Sequence, residues 1–298
     1  MSNYYDYIIA DLRLRSTTDL VALGLRGFKP FEASVLSDAE VACTFSIDTS
    51  LCREQIATLR SLSTTYLAEA KANGELFKSA TGYLYTIERQ PCEAILHIDT
   101  TTGQICCNLE PKDSYDLSLL RFGIWMMFGV VLAHHSAIAI HSSVIESEGY
   151  GVLFLGESGT GKSTHTRLWR ENIEGAHLLN DDSPIVRIIE DRAMVYGSPW
   201  SGKTPCYKSL SYPIAGFCRL SQAPHNKIRK LPTIAAIGAL LPSCPPQFAH
   251  DEELQDCICS TLGKLLRNTP AYHLECLPDS AAAHLSHSTI IGNAQGSR

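Results

Sequence analysis

The stretch GVLFLGESGTGKSTHTRLW, Gly151–Trp169, decides how the rest of the chain is read. An apolar, strand-like run, Gly151–Leu155, leads into a glycine-rich turn, and a helical pattern follows from Lys162 to about Asn172. The turn matches Gly-x4-Gly-Lys-Ser/Thr at Gly156, Gly161, Lys162 and Ser163. Glycines let the backbone curl, so that the N–H groups of Ser158, Gly159, Thr160 and Gly161 converge on a phosphate. The helix that opens at Lys162, Ser163 and Thr164 adds the positive end of its dipole. The Lys162 ammonium reaches the β- and γ-phosphates, and the Ser163 hydroxyl is placed to ligate Mg²⁺. This P-loop pattern predicts a nucleotide site, with ATP and Mg²⁺ as the cofactors.

The flanks narrow the class. Ile138–Ile145 reads as a strand, Glu146–Tyr150 as a polar turn, and Gly151–Leu155 as the returning strand of a hairpin. A short strand from His177 to Leu179 ends in Asn180, Asp181 and Asp182, and a second hairpin folds Ile185–Ile189 against Ala193–Tyr196. Parallel strands need long crossovers, whereas hairpins make antiparallel pairs. The expected fold is therefore α/β with a mixed, largely antiparallel sheet. A guanine-reading Asn-Lys-x-Asp run is not found.

The block AIHSSVIESEGYGVLFLGESGTGKSTHTRLW followed by LLNDDSPIVRI resembles the kinase core of HPr kinase/phosphorylase, a fold shared with phosphoenolpyruvate carboxykinases. That core carries a histidine on the strand before the loop, here His141, and an Asp-Asp pair on the next strand, here Asp181 and Asp182. The resemblance covers about Asp116 to Leu220 and is nearest to the HPr-kinase-related proteins of bacteria. It implies phosphoryl transfer from Mg-ATP to a hydroxyl in a protein, a peptide or a small metabolite. It also implies Asp181 as base, Asp182 beside Ser163 on the metal side, and His141 either bonded to Asp181 or positioning the acceptor. Lys162 serves the transferring phosphate, and Lys203 and Arg219 are the candidates for neutralising its charge. Homo-oligomers are formed in the resembled family. The N-terminal half departs from that of the HPr kinases proper, and their later glycine-rich signature segment is not found. A carboxykinase-type reaction and a non-catalytic ATP/ADP switch are the alternative readings.

The remaining sequence bounds the setting. The chain has 298 residues, a net charge of -6 and 19% charged residues, which suits a folded protein and gives nucleic acid no basic face to bind. The basic cluster Lys227, Arg229, Lys230 reads as a solvated turn. Eleven cysteines without a Cys-x-x-Cys fit reduced thiols in a cytoplasmic protein. The N-terminus has no basic-then-apolar leader, and the apolar run after Arg121 is short for a bilayer, so neither secretion nor a membrane is expected. Residues 1–115 read as a smaller β-rich module and 116–298 as the kinase-like nucleotide-binding domain. Cys52–Ala80 is open between a helix, from its Ala/Glu/Leu content, and a hairpin turning at Asn73-Gly74. His165 is expected to face solvent. A second loop, Gly197–Thr204, is either a further anion-binding loop in which Trp200 stacks on a ring, or a surface turn.

Overall fold

The computed structural model describes residues 4–33, 39–68, 70–202 and 204–296. The chain divides into two compact units, Met1–His135 with Gln247–Gln255 and Ser136–Pro246 with Asp256–Arg298.

The first unit is built on eight strands: β1 (Tyr5–Ile9), β2 (Leu12–Ser16), β3 (Val41–Ile47), β4 (Arg60–Leu67), β5 (Ala72–Lys78), β6 (Gly82–Arg89), β7 (Cys92–Asp99) and β8 (Gln104–Cys107). They lie in the order β1-β2-β3-β8-β7-β6-β5-β4. Pairing is antiparallel except where β3 runs parallel to β2 and to β8. The open segment Cys52–Ala80 resolves as the β4–β5 hairpin, but its turn precedes Ala72. Asn73 and Gly74 stand inside β5, where a side chain at 74 would overlap the Tyr85 hydroxyl. Helix α1 (Ser114–His134) starts at Asp113, whose carboxylate accepts from the N–H groups of Tyr115 and Asp116. It packs on β6 and β7, and Gly123 leaves room for Leu96. By length and composition α1 could cross a bilayer, yet most of it is buried within this unit. Because α1 covers the first sheet, the units divide after His135 and not at the expected 115/116.

The second unit carries β9 (Ala137–Ala139), β10 (Ser142–Ser147), β11 (Tyr150–Leu155), α2 (Lys162–Asn172), β12 (His177–Asp182), β13 (Ile185–Ile189) and β14 (Arg192–Tyr196). There follow β15 (Ser211–Gln222), β16 (Lys227–Lys230) and α3 (Thr233–Leu240). Helix α4 (Glu252–Asn268) begins in the first unit and continues into the second, before β17 (Ala271–Cys276) and α5 (Ser280–Gly296). The sheet order is β12-β10-β11-β15-β14-β13-β9, with β17 joined to β15 and β16 outside it. Only the β11–β15 and β15–β17 pairs are parallel, so both sheets of the molecule are mixed. Phe154, Trp169, Cys218, Leu274 and Ile290 meet in the core where α2 and α5 cover the sheet.

Two local expectations change, and one long strand was not expected. Ile138–Ile145 is two strands, broken where Ile140 N–H donates to Pro184 O at 3.0 Å and His141 N–H to Ser243 O at 2.7 Å, which takes both groups out of the ladder. Lys227–Lys230 is not a solvated turn but β16, paired with β17. The long central β15 escapes sequence reading because Pro213 and Gly216 look like breakers. At Gly216 a Cβ would lie only 3.1 Å from the Tyr272 ring and 3.2 Å from Pro270 O.

Candidate functional site

The Gly156–Gly161 loop joins β11 to α2, the strand–turn–helix order that its sequence requires. Gly156 has φ 148° and Gly161 φ 104°, where a side chain is disfavoured. A Cβ on Gly156 would also lie 2.6 Å from Thr160 Oγ1. The Thr160 hydroxyl donates to Glu157 O at 2.8 Å and fixes the turn. Gly161 occupies the N-cap of α2 without a side-chain cap, so the first N–H groups of that helix lack an intrahelical acceptor. They sit at the positive end of the helix dipole.

Lys162 Nζ folds back and donates to Gly156 O at 2.7 Å and Glu157 O at 3.2 Å. Burial holds its ammonium below the ordinary lysine value, against the opposing pull of Asp182 and Asp181. Those carboxylates close the end of β12 in cross-strand register with β10, Asp181 opposite Ser143 and Asp182 opposite Ser142. Asp181 accepts from Ser163 Oγ at 3.3 and 3.4 Å. Asp182 takes φ 114°, rare for a residue with a side chain, and its carboxylate turns elsewhere. Its Oδ1 lies 3.1 Å from His141 Nδ1, while Ser183 Oγ donates to Oδ2 at 3.0 Å. The histidine is therefore bonded to the second acid, not to Asp181 as one expectation had it. Exposure separates the acids too. Asp181 is 8% exposed, whereas the Asp182 side chain is 37% exposed and that of His141 46%.

The second loop is a scaffold for these acids. Ser201 Oγ donates to Asp181 O at 3.1 Å, and Gly202 N–H to the same oxygen at 2.7 Å. A Cβ on Gly202 would come to 3.0 Å from Asp182 Cβ, so a larger residue would crowd the second acid. Trp200 is buried, and its carbonyl accepts from Asn180 Nδ2 at 3.0 Å. That burial leaves no face for stacking on a ligand ring. Lys203 lies outside the described residues. Asn180 was not among the expected site residues, whereas Ser201 and Gly202 lie in the second loop, Gly197–Thr204, expected as either an anion-binding loop or a surface turn, and here hold the Asp181 carbonyl.

Arg219 lies on β15 in register with Leu155, the last residue before the loop. It is apart from Asp181, since β10 and β11 intervene between β12 and β15. Two clefts flank the loop. One, of about 730 Å³, has Glu157, Arg219, Ser221, Arg229 and His273 on its wall. The other, of about 540 Å³, lies between Thr164, Leu168, Leu220, Gln222, Ala223 and Leu277. His165 does not face solvent. It is 3% exposed, its Nε2 is 3.0 Å from Ser286 Oγ, and burial pushes its pKa down to about 4.

No family model matches this chain, and no curated protein does. Among solved structures it is similar to the Hpr(Ser) kinase/phosphatase from Coxiella burnetii, at 13% identity and a TM-score of 0.30, over 52% of this chain and 94% of that one. The likeness is weak and partial.

Proposed function

We propose that the second unit binds Mg-ATP on a P-loop at Gly156–Ser163 and transfers the γ-phosphoryl group to a hydroxyl acceptor. The observation that carries this reading is the meeting of an uncapped, glycine-rich helix N-terminus with Asp181 and the Asp182–His141 pair. A module that only held nucleotide would not need a solvent-facing acid–imidazole pair beside the phosphates. The 540 Å³ cleft adjoins Gly161 and Thr164 and is mostly apolar, as suits a nucleotide base.

The donors suit the metal. A serine hydroxyl and a carboxylate within 3.4 Å are hard oxygen ligands of the kind Mg²⁺ takes while keeping several waters. When bound, the ion offsets negative charge on the phosphate oxygens. The hydrogen bonds favour a division of the acids opposite to the expected one. Asp181, against Ser163, stands on the metal side. Asp182, held by His141 and open to solvent, accepts the acceptor's proton as its oxygen forms a bond to the γ-phosphorus. The bond from that phosphorus to the bridging oxygen breaks and ADP leaves. Lys162, already desolvated, turns from the loop carbonyls to the phosphates and neutralises charge there.

The test is transfer of label from γ-labelled ATP into a cell extract, with binding of Mg-ADP by calorimetry as control. Asp182→Asn should cut transfer roughly 10²–10⁴-fold at saturating Mg²⁺ with ADP binding retained. Asp181→Asn should raise the Mg²⁺ concentration needed. The opposite pattern would restore Asp181 as base. Nucleotide binding without transfer in the unaltered chain would sink the kinase reading.

A further inference from the structure

The 730 Å³ cleft on the other side of the loop is not used by the chemistry above. Its wall is made by Gly156–Thr160, by β15, β16 and β17, and by Ala235 and Ala239 of α3. Strand register aligns a row across them: Arg219 on β15 faces His273 on β17, which faces Arg229 on β16. Among the described residues neither guanidinium has a carboxylate partner. Arg219 makes no hydrogen bond or ion pair there, and Arg229 bonds only to the His273 ring. In a chain of net charge -6, what marks these two arginines is that strand register places them in one row on the wall of one cleft.

The hydrogen bonds settle which way the protons point. A guanidinium only donates, so Arg229 Nη2, 3.1 Å from His273 Nδ1, makes that nitrogen the acceptor. The proton of the neutral ring is then on Nε2 and is donated to Ser221 Oγ at 2.8 Å. Burial and the two arginines hold the ring neutral, with Glu275 opposing. Ser221 is therefore left with a free hydroxyl proton beside the cleft. Among the described residues Glu157 is the sole acid on the wall.

We propose that the Arg219–His273–Arg229 row, with Ser221, is a second anion site that binds a phosphate dianion distinct from the phosphates of the nucleotide. A carboxylate is satisfied by one guanidinium fork. Two guanidiniums and a hydroxyl donor, from β15 and β16 and oriented by His273 on β17, match the charge and the tetrahedral oxygens of a phosphate or phosphomonoester. The assignment rests on the nucleotide reading only in taking the inner face of the loop to be filled by Mg-ADP.

The experiment is calorimetric titration of inorganic phosphate into the full chain saturated with Mg-ADP, for the native protein and for R219Q/R229Q. Saturable phosphate binding is expected, weakened at least tenfold in the double variant, with ADP affinity kept within about twofold. H273Q should weaken phosphate roughly threefold to tenfold, since the ring that orients both the Ser221 proton and the Arg229 guanidinium is lost. Equal loss of ADP and phosphate in R219Q/R229Q would make the row part of the nucleotide site and overturn the proposal. Unaltered phosphate binding, or acetate binding as tightly, would overturn it as well. If the native chain binds phosphate through these arginines but binds no Mg-ADP, the anion site stands and the nucleotide reading falls. Glycerol phosphate then separates the two sources: label entering it from γ-labelled ATP makes the site the acceptor's, and displacement of phosphate without labelling makes it an effector's.

Discussion

His165 ties the loop to the body of its unit, and its protonation should loosen that unit in mild acid. The ring sits one turn into α2, edge-on to Phe154 at 4.7 Å, with Nε2 against Ser286 Oγ on α5. Ser286 gives its own proton to Ala282 O at 2.9 Å and also accepts from Trp169 Nε1 at 2.9 Å. The His165 ring must then donate from Nε2, and a second proton would place a positive charge on a ring that is 3% exposed. Burial accordingly lowers its pKa from the ordinary 6.5 to about 4. The sign follows from linkage. Above pH 6.5 the ring is neutral in both states and costs nothing. As pH falls toward 4, the unfolded chain binds a proton that the native ring refuses, so stability is lost across that window. A shift of this size amounts to roughly 3 kcal/mol in full, and about 2 kcal/mol between pH 6.5 and 4.5. Urea unfolding followed by tryptophan emission, at pH 6.5 and 4.5, measures it. Native protein should lose about 2 kcal/mol more over this interval than His165→Gln, in which other titrations cancel. Equal losses in the two proteins would refute the assignment and the hydrogen-bond direction behind it.

Lys162→Ala should weaken Mg-ADP binding roughly 10–100-fold by calorimetry, the worth of one charged hydrogen-bonding group on a phosphate. An affinity within twofold of native would remove this lysine from the site. Asn180→Ala deletes a fully buried amide that donates to Trp200 O and accepts from Ser183 N–H at 3.0 Å. The stranded backbone groups should cost about 2–4 kcal/mol, read as a lower unfolding midpoint, and the loop under both acids should loosen. Preserved stability would show that the second loop is held by other contacts.

Local features of the sequence determined the parts that depend on neighbours along the chain. The glycine-rich turn required a strand before it and a helix after it, and α2 runs over the residues that the pattern gave, Lys162–Asn172. The hairpins around Glu146–Tyr150 and Glu190–Arg192 required antiparallel pairs, and those pairs are present. What the tertiary structure decided is set by groups far apart in sequence. Ile140 and His141 leave the strand because acceptors 44 or more residues away, at Pro184 and Ser243, claim their N–H groups. His165 looked exposed on a polar helix until α5, 121 residues later, covered it. The basic run at Lys227–Lys230 looked solvated until β17 paired with it and aligned Arg229 with Arg219 through His273. The partition of the acids, Asp181 to Ser163 and Asp182 to His141, depends on a positive φ that no adjacent residue demands. Short-range sterics and hydrogen-bond periodicity are written in consecutive residues, whereas burial and the choice of hydrogen-bond partner exist only once distant strands and helices have packed.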